Sequence, residues 1–126
     1  MAYEGQNLTI TMKSLEDHSG CQYHAVAFND SLLANNGKEA CGILMNKPAS
    51  GDHATVGFNG VLKYAAGAAV AAGARLTVTT SGWFITAANS GAYVVGMNGP
   101  DSVTSGSIGT GIFGFSNPAI IPASGI

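Results

Sequence analysis

Residues able to do chemistry are few in this chain, and most fall in its first half. The run His18-Ser-Gly-Cys21-Gln-Tyr-His24 has the close spacing that metal ligands favour, and Cys41 and His53 follow it. A structural zinc site draws paired ligands from two separated knuckles, whereas here the second knuckle would consist of single residues. The stretch is therefore read as a polar loop with a buried thiol, and neither a metal nor another cofactor is expected. In a reducing cytoplasm Cys21 and Cys41 should be small buried hydrophobes rather than a bridge. Glu16-Asp17-His18 is the one dense polar trio, and such clusters are usually solvated surface. No nucleophile stands beside a base, no run has the Gly-x-x-x-x-Gly-Lys form of a phosphate-binding loop, and Ser81-Gly82 lacks the strained elbow of a hydrolase. No catalytic residue is assigned, and the chain is read as a non-enzyme.

The surface is what needs explaining. Charged residues make up 10% of the 126 positions, against roughly 25% in average soluble domains, while the apolar fraction of 46% is ordinary. Disorder does not account for this, because the net charge is −2 and Val, Ile, Leu and Ala are abundant. Only Arg75 and Asp101 carry charge beyond Lys63. Either Ser, Thr, Asn and Gly solvate the second half, or an assembly buries it, since the centres of interfaces are depleted in charge. Without a basic run the chain lacks the footprint of a nucleic-acid binder. No cationic segment leads into an apolar stretch at the N-terminus, so a cytoplasmic protein without a signal peptide is expected. Ala65 to Ala74 is too short and too glycine-broken to cross a bilayer, so no membrane partner is expected.

The length suits one domain. Leu8-Thr-Ile-Thr-Met12 alternates at period two and reads as a half-buried strand after an N-terminal arm of residues 1–7. Further strands are expected at Tyr23–Phe28, Ala40–Met45, His53–Phe58 and Val61–Tyr64, the last two separated by a turn at Asn59-Gly60. The alanines in Ala65–Ala74 favour helix, but Gly67 and Gly73 each cost about 1 kcal/mol there, which leaves at most a single short helical turn. Arg75–Thr80, Trp83–Thr86, Ala92–Met97 and Ser107–Phe115 complete a meander, with turns at Ser81-Gly82, Asn98-Gly-Pro100 and Ser105-Gly106. Cys41-Gly-Ile-Leu-Met-Asn46 and Gly60-Val-Leu-Lys-Tyr64 are echoed by Val95-Gly-Met-Asn98 and Gly111-Ile-Phe-Gly-Phe115, which fits either one hairpin unit used twice or coincidence in a glycine-rich chain. The fold expected is mainly β: a compact β-barrel or β-sandwich of short strands spanning 8–116. The tail 117–126, apolar and bracketed by prolines, should be extended and lie on a surface, either a neighbour's or its own.

Between Ala54 and Met97 the residues Val56-Gly-Phe-Asn-Gly60-Val, Lys63-Tyr-Ala-Ala-Gly67-Ala-Ala-Val70-Ala-Ala-Gly73-Ala-Arg-Leu76, Ser81-Gly82-Trp83 and Tyr93-Val-Val-Gly96-Met97 follow an order that resembles the capsid decoration or cement proteins of tailed bacteriophages, the DUF2190-like group. The resemblance covers about a third of the chain and rests on glycine turns. It implies a β-barrel or sandwich that forms homotrimers on the outside of the virion and braces junctions between major capsid protein subunits. The Cys21 loop, Ala74 in place of an acidic residue and the long apolar tail depart from the pattern, so no family site is carried over residue by residue.

Contacts with such partners are expected at Tyr3, Trp83, Phe84 and Tyr93 and along the tail at Pro118, Ile120, Ile121, Pro122 and Ile126, because aromatic and apolar groups dominate interface cores. The alternatives are a carbohydrate-binding β module that stacks sugars on Trp83, Phe84 and Tyr93, and a shell or tail-tube subunit, for which 126 residues is short.

Overall fold

The fold is that of a computed structural model, which describes residues 7–14, 17–26, 42–88, 93–115 and 119–120. Within them lie β1 (Asn7–Lys13), β2 (Ala25–Val26), β3 (Gly42–Leu44), β4 (His53–Ala65), β5 (Arg75–Val78), β6 (Phe84–Thr86), β7 (Tyr93–Val94), β8 (Gly96–Asn98), β9 (Ile108–Gly114) and β10 (Ala119–Ile120). The main sheet runs β2-β3-β4-β9-β8-β5-β6, with β1 added to β4, and every strand pair in it is antiparallel. Its far end returns to its middle: Ala66 bridges Phe84, and the Gly67 N–H donates to the Phe84 carbonyl at 2.8 Å. The sheet is thereby curled into a nearly closed barrel, which leaves few free backbone edges.

β4 is a 13-residue strand where two shorter ones separated by a turn were expected. Gly60 does take a positive φ of 106°, as a turn glycine would. It uses that freedom inside the strand, next to a register shift in which Leu8 faces Asn59 and Thr9 faces Gly57. The chain bends there without reversing, because β9 pairs without a break from Asn59 to Ala65. The run Ala65–Ala74, which allows at most one helical turn, takes none. Its backbone groups are taken by neighbours instead: Ala66 N–H by the Ser107 carbonyl, Val70 by Val103 in both directions, and Gly73 N–H by the Gly99 carbonyl. The helical geometry of the described residues is a 3₁₀ turn at Thr80–Gly82, where Ser81 and Gly82 are left-handed.

The barrel interior is aromatic. Tyr64, Phe84 and Phe113 meet edge to face with centroids 5.5–5.8 Å apart, and Phe115 stacks on Phe113. These rings fill space left by glycines directly across the ladder, since Tyr64 pairs with Gly109 and Phe113 with Gly96. A Cβ on Gly109 would stand 2.8 Å from the Tyr64 ring, and one on Gly96 2.6 Å from the Phe113 ring. A second cluster of Val26, Leu44, Ala54 and Val56, flanked by Met12 and Cys21, lies beside β1. The Tyr64 hydroxyl donates to Asn98 Oδ1 at 2.8 Å, and Asn98 Nδ2 donates to the carbonyls of Ala71 and Asp101. One buried amide thus pins two loops to the core.

Burial pushes the Tyr64 phenol up to about 12 from an ordinary value of 10. The folded state keeps its proton between those values while the unfolded chain loses it, so this contribution is intact below pH 10 and disappears as pH rises to about 12. Tyr64→Phe should flatten that part of an alkaline denaturation profile. At neutral pH it should cost about 1–3 kcal/mol in urea unfolding, because the buried Asn98 oxygen loses its donor.

Candidate functional site

The histidines and cysteines that could have formed a metal site are dispersed. His24 Nδ1 is 2.8 Å from the Ser81 carbonyl, and its ring meets Trp83 edge to face at 4.4 Å. Cys21 is a free thiol beside the second cluster, its pKa raised by burial and then by the Asp17 charge. His18 is buried with Nε2 lacking a hydrogen-bond partner, and His53 is exposed at the start of β4. Among the described residues no three His, Cys, Asp or Glu side chains gather closely enough to hold a metal ion. Cys41 lies outside the described residues.

Of the expected contact residues, Phe84 is corrected: it is wholly buried among Tyr64 and Phe113 and offers no surface to a partner or a sugar. The inward phase of β6 fixes this, because Phe84 pairs with Val78, itself a core residue. Trp83, half-buried, borders a shallow groove with Gly67, Thr79, Ser105 and Gly106. Tyr93 is half-buried on β7, which pairs with β10 from the tail, so Ile120 lies on its own domain. Tyr3, Pro118, Ile121, Pro122 and Ile126 lie outside the described residues.

The feature missed in the sequence lies on the outer face of the sheet. β9 places Gly109, Gly111 and Phe113 inward, so Ile108, Thr110 and Ile112 point outward. Ile112 is 65% exposed, Met97 49%, Leu8 56%, Ile108 39% and Ile10 36%. The register joins several of these. Val61 faces Ile112, Ile112 faces Met97 and Met97 faces Arg75, so four adjacent strands carry one row of side chains. At about 4.8 Å per strand the row spans roughly 14 Å. Leu8 on β1 lies beside the row on the same outer face, because its partner Asn59 is the outward residue of β4 before Val61 and also pairs with Gly114. Lys63 is the next outward residue of β4 after Val61, its Nζ held 5.6 Å from the centre of the Tyr23 ring. β1 was expected to be half-buried; Met12 is, while Leu8 and Ile10 stand largely in the open.

Scattered exposed apolar residues are normal, whereas a continuous row of them marks a surface that meets something. A family model described as phage cement protein matches residues 3–109. The chain belongs to the phage cement protein family. Among solved structures, it is similar to the N base of the head fiber gp8.5 of bacteriophage phi29, with a TM-score of 0.67 and 16% sequence identity over 86% of this chain and 94% of that one, a likeness of fold. No curated protein matches the sequence. The cement protein is a structural decoration of the phage head, associated with the capsid of the virion.

If the row serves contact and not folding, Ile112→Ser should change thermal stability by no more than about 0.5 kcal/mol. Phe113→Ala, next to it in sequence but inside the barrel, should cost about 3–5 kcal/mol. Calorimetry on both variants checks the contrast.

Proposed function

We propose that this cement protein sits on the outer surface of the phage head as a homotrimer and stabilises the junctions between major capsid protein subunits, without catalysis, after synthesis in the host cytoplasm. The observation that carries this reading is the Val61–Ile112–Met97 row, whose central side chain is 65% exposed although larger apolar groups of the same chain are fully buried. Burying a side chain of that kind is worth about 1.5–3 kcal/mol, a modest sum that repetition over many sites of a shell multiplies into firm attachment.

Contacts between copies are assigned to Trp83 and Tyr93 and, outside the described residues, to the arm residue Tyr3 and the tail residues Pro118, Ile121, Pro122 and Ile126. Ile120 is proposed to anchor the tail through the pairing of β10 with β7. The sparse charge of the second half supports burial there, since charged groups cost most where an interface closes. The domain limits proposed are an arm at 1–7, the β domain at 8–116 and a tail at 117–126.

Light scattering on the 12.7 kDa chain should give three times that mass. The protein should co-sediment with assembled shells that lack it and raise their disruption temperature. A monomer that leaves shells unaltered would contradict the proposal.

A further inference from the structure

The exposed row is apolar along its length but not neutral around it. Arg75 ends it on β5, and Lys63 stands one outward position away on β4, about 7 Å along the strand. Lys63 is steadied by the Tyr23 ring, so its charge stays at the rim of the row. No Asp or Glu occurs in any strand of the described residues, although acidic residues outnumber basic ones in the chain as a whole. The described acidic side chains, Asp17, Asp52 and Asp101, sit in connections. Among the described residues, a chain of net charge −2 therefore presents a face whose fixed charges are positive.

This sign separates two occupants. Stacking the face on the same face of a second copy would bring four cations into one interface with no carboxylate of the described strands to offset them, and like charges brought together at an interface are costly. A surface with an apolar centre and carboxylates at its edge satisfies both features at once. Building on the capsid reading above, we infer that the Val61–Ile112–Met97 row with Leu8 beside it, rimmed by Lys63 and Arg75, docks on an apolar patch of the major capsid protein bordered by Asp or Glu side chains. The apolar centre supplies adhesion, and the two cations set orientation and approach rate.

The test is equilibrium co-sedimentation of the full-length protein with decoration-free shells, at low and high sodium chloride. The variants are Ile112→Ser and the double reversal Lys63→Glu with Arg75→Glu, each checked for unchanged circular dichroism. Affinity of the wild type should fall with salt. Ile112→Ser should weaken it about tenfold at either salt, and the double reversal should weaken it at least tenfold at low salt and invert the salt dependence, since salt then screens a repulsion. Wild-type affinity in the charge-reversed variant, or salt-independent binding by the wild type, overturns the inference and leaves the capsid reading standing. A change of oligomeric mass in the variants with shell binding intact gives the face to a second copy and overturns it likewise. Failure of the wild type to bind shells at all removes the capsid reading itself.

Discussion

The constraint on which the rest depends is the narrowness of the barrel between β4, β9 and β8. Three aromatic rings occupy it, and the backbone opposite them approaches so closely that Gly96, Gly109 and Gly111 have no room for a Cβ. In most half-buried strands the large apolar residues face in and small or polar ones face out. Here the inward positions of β9 are glycine, glycine and phenylalanine, and the isoleucines are outward. An aromatic side chain leaning over a cross-strand glycine restores the packing that the glycine lacks, so the core closes without the isoleucines.

An exposed apolar row follows from that inversion. The isoleucines are spared from folding, and Met97 and Val61 join Ile112 because antiparallel partners project to the same side. The ladder that holds the core therefore also fixes the geometry of the exposed row. This is economical for a small chain: rigid strands hold the exposed apolar groups, and the carboxylates among the described residues lie in connections. A cement protein has to keep its shape before and after attachment, and a face built on strands keeps its geometry better than one built on loops.

The β class could be read from period-two runs such as Leu8–Met12 and Arg75–Thr80, and the corners from Ser81-Gly82 and Ser105-Gly106, whose positive φ values the fold does use. The family resemblance came from the order of glycine turns, which the match to residues 3–109 supports. Gly60 was misassigned because a positive-φ glycine looks the same in a turn and in a strand bend, and only the partner strands distinguish them. The alanine run forms no helix because helix propensity is local, whereas the Val70–Val103 bridge that overrides it joins distant residues. Phe84 resembles a contact residue by its type alone, and the phase of β6 turns it inward. Ile112 and Met97 were passed over for a related reason: apolar residues inside strands are ordinarily core, and their outward phase depends on the glycines between them and on a register that spans the chain.

The central claim is that Ile112, Met97 and Leu8 form a contact surface that the folded chain leaves uncovered and the phage head covers. Hydroxyl-radical footprinting of the free protein and of decorated shells, read by mass spectrometry at single residues, addresses it directly. The account predicts that Met97 and Ile112 are oxidised readily in the free protein and strongly protected on shells, while the exposed loop around Lys47 is labelled equally in both. Equal oxidation of Met97 and Ile112 in the two states would contradict it.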